Sequence, residues 1–320
     1  MILPRRPALV LALALPAAAR AQEGWPNRPI RLVVPFAPGG SSDVLARLIQ
    51  PGLAAALGQP VVVENRPGAG SLLGAEFVAR SPADGHTLLL ADLPFAILPA
   101  IQDRLPYDPI ADFERVSAIG VAPLMMFVPA SLPVRSIAEF VALAQSRPEG
   151  LTYGSGGVGA ASHLAGELFQ RASGIRLTHV PYRGGGPAMQ DLAAGRVQAT
   201  FVTLATALPQ VQAGQVRPLG VMGTARLPAL PDVPTFREAG IDLVAEHWWG
   251  IMAPGRTPAG IVARLAEALT RVITAPDLTP RLEALAVLPR AEGPADFDRL
   301  VRADIARLAE LARAQNIRAQ

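Results

Sequence analysis

Residues 31–43 read RLVVPFAPGGSSD: an apolar run, a Pro/Gly corner, then Ser41, Ser42 and Asp43 at the opening of a helix. A helix start leaves its first N–H groups without internal partners and carries roughly half a positive charge. The Pro35–Asp43 turn therefore has the chemistry of an anion cradle that needs neither Lys nor Arg. It lacks the G-x-x-x-x-G-K-[ST] spacing of a phosphate-binding loop and the G-x-G-x-x-G of a dinucleotide turn. Taken alone, an ordinary strand-to-helix loop with a good cap explains the segment equally well.

Three further glycine-rich turns follow apolar runs: Asn65–Ser71 (NRPGAGS), Tyr153–His163 (YGSGGVGAASH) and Pro181–Pro187 (PYRGGGP). Parallel strands put ligand sites at their carboxyl ends, and glycine lets main chain approach a ligand closely. Four such turns at equivalent positions point to a cleft lined by backbone amides. Catalytic alternatives are thin. Ser155 lies in Gly154-Ser155-Gly156, but a nucleophile elbow needs glycine two residues before its serine, where Tyr153 stands. His163 and His179 are too isolated to name a triad, and the four His show no metal-ligand spacing. No catalytic residue, metal or cofactor is expected. Arg183 could fork onto a carboxylate, although an exposed turn residue is the simpler reading. For Asp43, capping its own helix is simpler than a water-mediated ligand contact. Ser162 could serve either way. Strand alternation at Trp248 and Trp249 points one ring to the core and the other to the cleft or the surface.

The chain holds 320 residues, no Cys and a formal charge of +3; it also contains no Lys, so apart from four His every basic side chain is Arg. The Arg are scattered and aromatics are few, which argues against nucleic acid. Disulfides and thiol chemistry are excluded. Arg5 and Arg6, the apolar stretch Ala8–Leu15 and Ala19-Arg20-Ala21 read as a signal peptide over residues 1–21, cleaved near Ala21/Gln22. Its apolar stretch is too short to span a bilayer. Pro4 and Pro7 favour an ordinary secretory route over twin-Arg export. The expected product is exported, soluble and periplasmic.

The organisation is repeated strand, turn, helix. Continuous apolar runs at Ile30–Val34, Val61–Val63 and Thr87–Ala91 read as buried parallel strands, with further strands at Leu124–Val128, Leu151–Ser155, Leu177–Val180, Val197–Val202 and Val216–Met222. Helices are expected between them, including Ser42–Leu57, where Pro51 should kink or end the helix near Gln50. From Ile251 onward the pattern is mostly helical. Alternating strands and helices give an α/β class with right-handed crossovers.

At these segments the chain resembles the Bug, or TctC-like, family of tripartite tricarboxylate transporter substrate-binding proteins. The resemblance is carried by RPIRLVVPFAPGGSSDVLAR, QPVVVENRPGAG, LPYDPIADF, SHLAGELF, HVPYRGGGPAMQDLAAG, LPDVPTFREAG and APGRTP. It implies a two-lobed periplasmic binding protein (Venus flytrap) fold, each lobe a mostly parallel sheet flanked by helices. The lobes are expected at 22–125 and 250–320 for the first and 126–249 for the second, with crossovers near Met125 and Trp249–Ile251. It also implies a small carboxylate or amino acid as ligand, delivery to membrane permease subunits, no reaction and a monomer. In that family the turn matching Phe36–Asp43 receives a carboxylate, which carries Phe36, Pro38, Gly39, Gly40, Ser41 and Asp43 over as ligand-binding residues. Ala69, Ser155, Gly157, Ser162, His163, Tyr182, Gly184, Val202 and Thr203 follow on the other turns. The chain departs from the family where relatives read F-D-N: Phe201-Val202-Thr203 stands there, so an acidic cleft residue for a ligand ammonium is expected to be missing. Together with Leu72, Leu98, Val158 and Ala160 this suggests a less polar cleft and an acid with an apolar body, not a zwitterion. Two other classes remain: a periplasmic sensor partner, and an exported hydrolase using Ser155.

Overall fold

A computed structural model describes residues 24–147 and 149–315; the signal peptide expected over 1–21 lies outside the described residues. Two mixed sheets carry the fold. The first contains β1 (Ile30–Val34), β2 (Val61–Asn65), β3 (Thr87–Asp92), β4 (Phe113–Pro123), β10 (Glu246–Pro254) and β11 (Leu288–Pro289), ordered β2-β1-β3-β10-β4-β11. The second contains β5 (Met125–Pro129), β6 (Leu151–Ser155), β7 (Leu177–Pro181), β8 (Ala199–Val202) and β9 (Val216–Val221), ordered β7-β6-β8-β5-β9. Strand directions agree for β1 to β4 in one sheet and for β6 to β9 in the other. Among the described strands β5, β10 and β11 run against them. The same plan repeats in both sheets, and β5 and β10, each entering directly after a passage between sheets, take the equivalent reversed place.

The chain leaves the first sheet at Pro123 and enters the second at Met125, where the first crossover is expected. It returns at Glu246, ahead of the expected Trp249–Ile251. All of β10, including Trp248 and Trp249, is hydrogen-bonded into the first sheet between β3 and β4. The sequence reading underestimates strand content here because EHWWGIMAP and FERVSAIGVAP lack the clean alternation or uniform branching that marks a strand.

The helices cover both faces of each sheet. Leu45, Ala46, Ile49 and Leu53 of α1 (Ser41–Leu57) and Leu265, Leu269 and Val272 of α8 (Ala259–Ile273) pack on one face of the first sheet with Ile30, Leu32 and Val34. Val33 points the other way, into a core shared by α2 (Leu72–Ala79), α3 (Leu93–Ile101), α5 (Ala161–Ser173) and α10 (Pro294–Gln315). In the second sheet Tyr153 and Phe201 face that shared core, while Met125, Phe127 and Val202 face α6 (Gly185–Ala193) and α7 (Leu204–Gln212). Between the sheets' helices, α4 (Ile137–Gln145) begins at Ser136, whose hydroxyl accepts from Glu139 N–H at 3.1 Å. A short α9 (Thr279–Ala284) precedes β11.

Pro51 neither ends nor shortens α1, which continues to Leu57 and closes on Gly58 in the left-handed conformation. An interior proline costs about 3 kcal/mol, but Leu53 and Leu57 are buried beyond it. A Cβ on Gly52 would also lie 2.9 Å from Val272 Cγ1, so α8 rests directly on this turn. Packing of the amphipathic face outweighs local propensity.

Another such contact offers a test. A Cβ on Gly250 in β10 would stand 2.2 Å from the ring of Phe297, which is buried and edge-on to Trp248. Gly250→Ala is expected to destabilise the protein by about 1–3 kcal/mol through overpacking. Chemical denaturation measures it, and an unchanged midpoint would show that α10 does not rest on β10.

Candidate ligand site

The carboxyl ends of β1 and β3 and of β6 and β8 face one another across a small cavity. Its wall includes Phe36, Gly40, Ser41 and Ser42 from the first turn and Asp92 and Pro94 from the end of β3. The second sheet supplies Gly156, Ala160–Ser162, Gly185 and Phe201–Thr203, with Thr206 from α7; Leu124 and His247 complete it. Five helices begin at this wall: α1 at Ser41, α3 at Leu93, α5 at Ala161, α6 at Gly185 and α7 at Leu204. Each start carries a partial positive charge and N–H groups that have no partner within their own helix, that of Ser41 being taken by Thr206 Oγ1. Among the described residues no Arg lines the cavity, so the partial positive charge at its wall is that of the helix starts.

The turns meet directly across the gap. Ala37 N–H donates to Arg183 O at 2.9 Å, and Ser41 N–H donates to Thr206 Oγ1 at 3.0 Å. A Cβ on Gly186 would lie 2.5 Å from Pro38 O, and one on Gly70 would lie 2.3 Å from Val158 O. Glycine is required at both places because main chain passes against main chain. This is a closed arrangement, held by backbone contacts at its rim.

Of the residues expected from the sequence, Phe36, Gly40, Ser41, Ser162, Val202 and Thr203 line the cavity. The others stand behind the wall or at the rim. Asp43 is buried and ties the first turn together. Its carboxylate accepts from Gly39 N–H (3.1 Å), from Arg47 Nε (3.1 Å) and from Asn65 Nδ2 (2.9 Å), and Asn65 Nδ2 also donates to Phe36 O at 3.0 Å. Burial works against ionisation of Asp43, but the bonds from Arg47, Gly39 and Asn65 together outweigh it and hold the carboxyl below the usual range. Pro38, Gly39 and Gly184 make the rim contacts, Gly184 lying against Ala37. Ala69 belongs to the Asn65–Ser71 turn, where Ala69 and Ser71 both take positive φ. Tyr182 OH donates to Asp191 Oδ2 at 2.7 Å, away from the cavity.

Ser155, Gly157 and His163 build the third turn. Gly156 N–H donates to Ser162 Oγ (2.8 Å), Gly157 N–H to Ser155 Oγ (3.1 Å) and Gly159 N–H to His163 Nδ1 (3.3 Å). His163 thus carries its neutral-state proton on Nε2. Ser155 Oγ lies 2.6 Å from His179 Nε2, and His179 is sandwiched between His163 and Tyr153, with ring centroids at 4.3 and 4.9 Å. A base therefore does sit beside Ser155, which sequence distance concealed. Yet Ser155 is fully buried outside the cavity wall, and its oxygen is engaged by Gly157 N–H. The pair scaffolds the turn and does not present a nucleophile.

Arg183 is exposed and contributes its carbonyl, not its guanidinium. Trp249 is core, and Trp248 Nε1 donates to Asp304 Oδ2 at 2.7 Å; neither ring reaches the cavity wall. Two expectations need correction. An acidic residue does line the cleft: Asp92, supplied by β3 and not by β8. Of the apolar replacements only Val202 and Ala160 face the cavity, whereas Leu98 is core and Leu72 packs on the core. The polar wall comes from Ser41, Ser42, Thr203, Thr206, Ser162, Asp92 and His247. Asp92 escaped a search keyed to glycine, although it too ends a parallel strand and begins a helix.

Comparison with known proteins places this geometry. Residues 45–317 match the model of the tripartite tricarboxylate transporter family receptor. The chain belongs to that family. It is 37% identical to BugT of Bordetella pertussis over 260 residues, 80% of each chain. An R. palustris protein solved with adipate superposes with a TM-score of 0.89 at 37% identity, covering 92% of this chain and 99% of its own. MatC of Rhodopseudomonas palustris, solved with bound malate, gives 0.85 at 34% identity, covering 89% and 99%. Members are periplasmic substrate-binding receptors, not enzymes. The two-sheet α/β architecture is that of periplasmic binding proteins.

The buried histidines make acid stability a measurable property of the site. Burial, with His163 adding to it, pushes His179 down to about 4, and burial lowers His163 as well, against the pull of Glu167. Between the ordinary value of 6.5 and that lowered one, the unfolded chain takes up a proton at His179 that the folded chain refuses. Stability is therefore complete above this window and falls as pH drops through it. Melting temperatures followed from pH 7 to pH 4 are expected to decline, and His179→Gln is expected to flatten the slope. An identical slope in the variant would remove His179 from this role.

Proposed function

We propose that the protein is the extracytoplasmic receptor of a tripartite tricarboxylate-type transporter. On this reading it binds a small carboxylate between two lobes and presents the closed form to membrane permease subunits. The lobes follow the sheets: residues up to Leu124 together with those from Glu246 onward, and Met125 to Ala245 between them. The observation that carries the reading is the meeting of five helix starts at one small cavity without an Arg in its wall. Buried N–H groups favour an anion there and avoid the desolvation cost of a buried ion pair. The signal peptide read in the sequence and the family's periplasmic receptors support export. Adipate and malate in the two R. palustris structures support a carboxylate as ligand.

Closure follows from the ligand bridging both lobes. A ligand that contacts α1 on one side and α5 to α7 on the other binds the closed form more tightly and so shifts the population toward it. A thermal-shift screen of mono- and dicarboxylates, adipate and malate included, is expected to find stabilising acids; at 100 times Kd a ligand adds about 2.7 kcal/mol. A screen in which neutral sugars stabilise and no acid does would contradict the reading.

Gly186 supplies a sharper test. It lies in the first turn of α6, where Ala raises helix propensity by about 1 kcal/mol. The nearest atoms its added methyl would meet are Pro38 O and the main chain of Gly39, on the opposite side of the cleft. Gly186→Ala is expected to keep or raise the melting temperature of the ligand-free protein while weakening binding of the best acid at least tenfold. Unchanged affinity would mean that the rim contact is not part of the bound state.

A further inference from the structure

The cavity holds a polar group that neither the family resemblance nor the five helix starts explain. Asp92 is 1% exposed at the end of β3, where it begins α3. Ser42 Oγ donates to its Oδ2 at 2.8 Å, and His247 Nε2 lies 3.6 Å from the same oxygen, too far for a good hydrogen bond. Its second oxygen, Oδ1, has no partner among the described residues. His247 is 5% exposed, its ring edge-on to Trp249 with centroids 4.5 Å apart, and both of its nitrogens are likewise unpartnered. Thr203 Oγ1, across the cavity, is a fourth unpartnered buried atom. All three residues line the cavity. Buried acceptors left unmatched are costly, and a carboxylate more so than a neutral group. A wall that carries such an acceptor therefore selects for a ligand that donates to it.

We infer that Asp92, oriented by Ser42 and flanked by His247, is the specificity-determining residue of the site: the ligand is a carboxylate bearing a second group with an O–H or N–H to donate. The inference rests on the carboxylate reading above. It adds a division of labour inside the cavity. Helix starts on α1, α5, α6 and α7 take the acid end, and Asp92 takes the donor. A second carboxylate brought beside Asp92 meets like charge in a closed space, and a bare hydrocarbon leaves the acceptor unpaired. An amino group gains a charge-assisted bond, and a hydroxyl gains a neutral one. The acidic residue absent from Phe201-Val202-Thr203 is thus supplied from the opposite sheet. This adds a donor group to the acid with an apolar body expected from the sequence, and admits the zwitterions that reading sets aside.

Titration calorimetry on the purified full-length mature protein tests this with matched acids on two frames. The first set is butyrate, its 2- and 4-hydroxy and 2- and 4-amino derivatives, and succinate; the second is benzoate, 4-hydroxybenzoate, 4-aminobenzoate and terephthalate. On at least one frame a hydroxy or amino acid is expected to bind at least tenfold more tightly than both the parent acid and the dicarboxylate. Asp92→Asn preserves shape and the Ser42 contact. It is expected to cost an amino acid at least tenfold, to cost a hydroxy acid less because the amide oxygen still accepts, and to improve the dicarboxylate. His247→Gln, with melting curves for both variants, separates loss of the subsite from loss of fold: a folded variant with altered preference among the acids supports the inference. Parent acid or dicarboxylate binding as tightly as the substituted acids, or an unchanged order in Asp92→Asn, overturns the inference and leaves the carboxylate reading standing. Binding of none of these acids overturns both.

Discussion

Backbone N–H groups that a helix cannot satisfy internally must find a partner elsewhere, and this fold gathers five sets of them around one buried space. Both sheets follow the same strand order, so their parallel strands end toward each other and their following helices begin there. The arrangement points the partial positive charge of helix starts at the site by geometry and not through Arg side chains, and Asp92 sets a carboxylate in the same wall. That suits a chain whose Arg residues lie on the surface or are spent on structure. Arg47 holds Asp43, Arg115 is buried against the carbonyls of Phe113 and Pro109, and Arg183 turns outward.

Bringing two such walls together demands that main chain touch main chain. Gly186 against Pro38 and Gly70 against Val158 leave no room for a side chain, and Ala37 N–H and Ser41 N–H bond across the gap. These contacts fix how deep the cavity is when closed. Behind them stand side chains whose work is rigidity. Asp43 and Asn65 lock the first turn, and Ser155, Ser162, His163 and His179 lock the third. Much of what sequence reading marks as binding residue is this supporting layer, one step removed from the cavity wall.

The strand-turn-helix rhythm was readable because buried parallel strands are short apolar runs bounded by Gly and Pro; β1 and β6 begin and end where that pattern says. The rest was hidden for physical reasons. The start of the returning strand, Glu246, is hard to read because His247, Trp248 and Trp249 sit in an interior strand of a mixed sheet, where neighbours on both edges override alternation. Pro51 looked like a helix end, since local propensity carries no information about α8 resting on Gly52. Ser155 and His179 met through the pairing of β6 with β7, a contact that spacing along the chain does not reveal. Asp92 is hidden because it closes a strand that no glycine turn follows. His247 enters the sequence reading only as one of four His without metal-ligand spacing; it faces Asp92 because β10 lies beside β3.

The central claim is that a carboxylate is held by helix-start amides between the two sheets. A crystal structure with the tightest-binding acid in place tests it most directly. The account predicts carboxylate oxygens within hydrogen-bonding distance of main-chain N–H groups at the starts of α1 and of the facing helices, with Arg183 still turned outward. A carboxylate paired instead with an Arg guanidinium, or bound outside the cavity between the four turns, would contradict it.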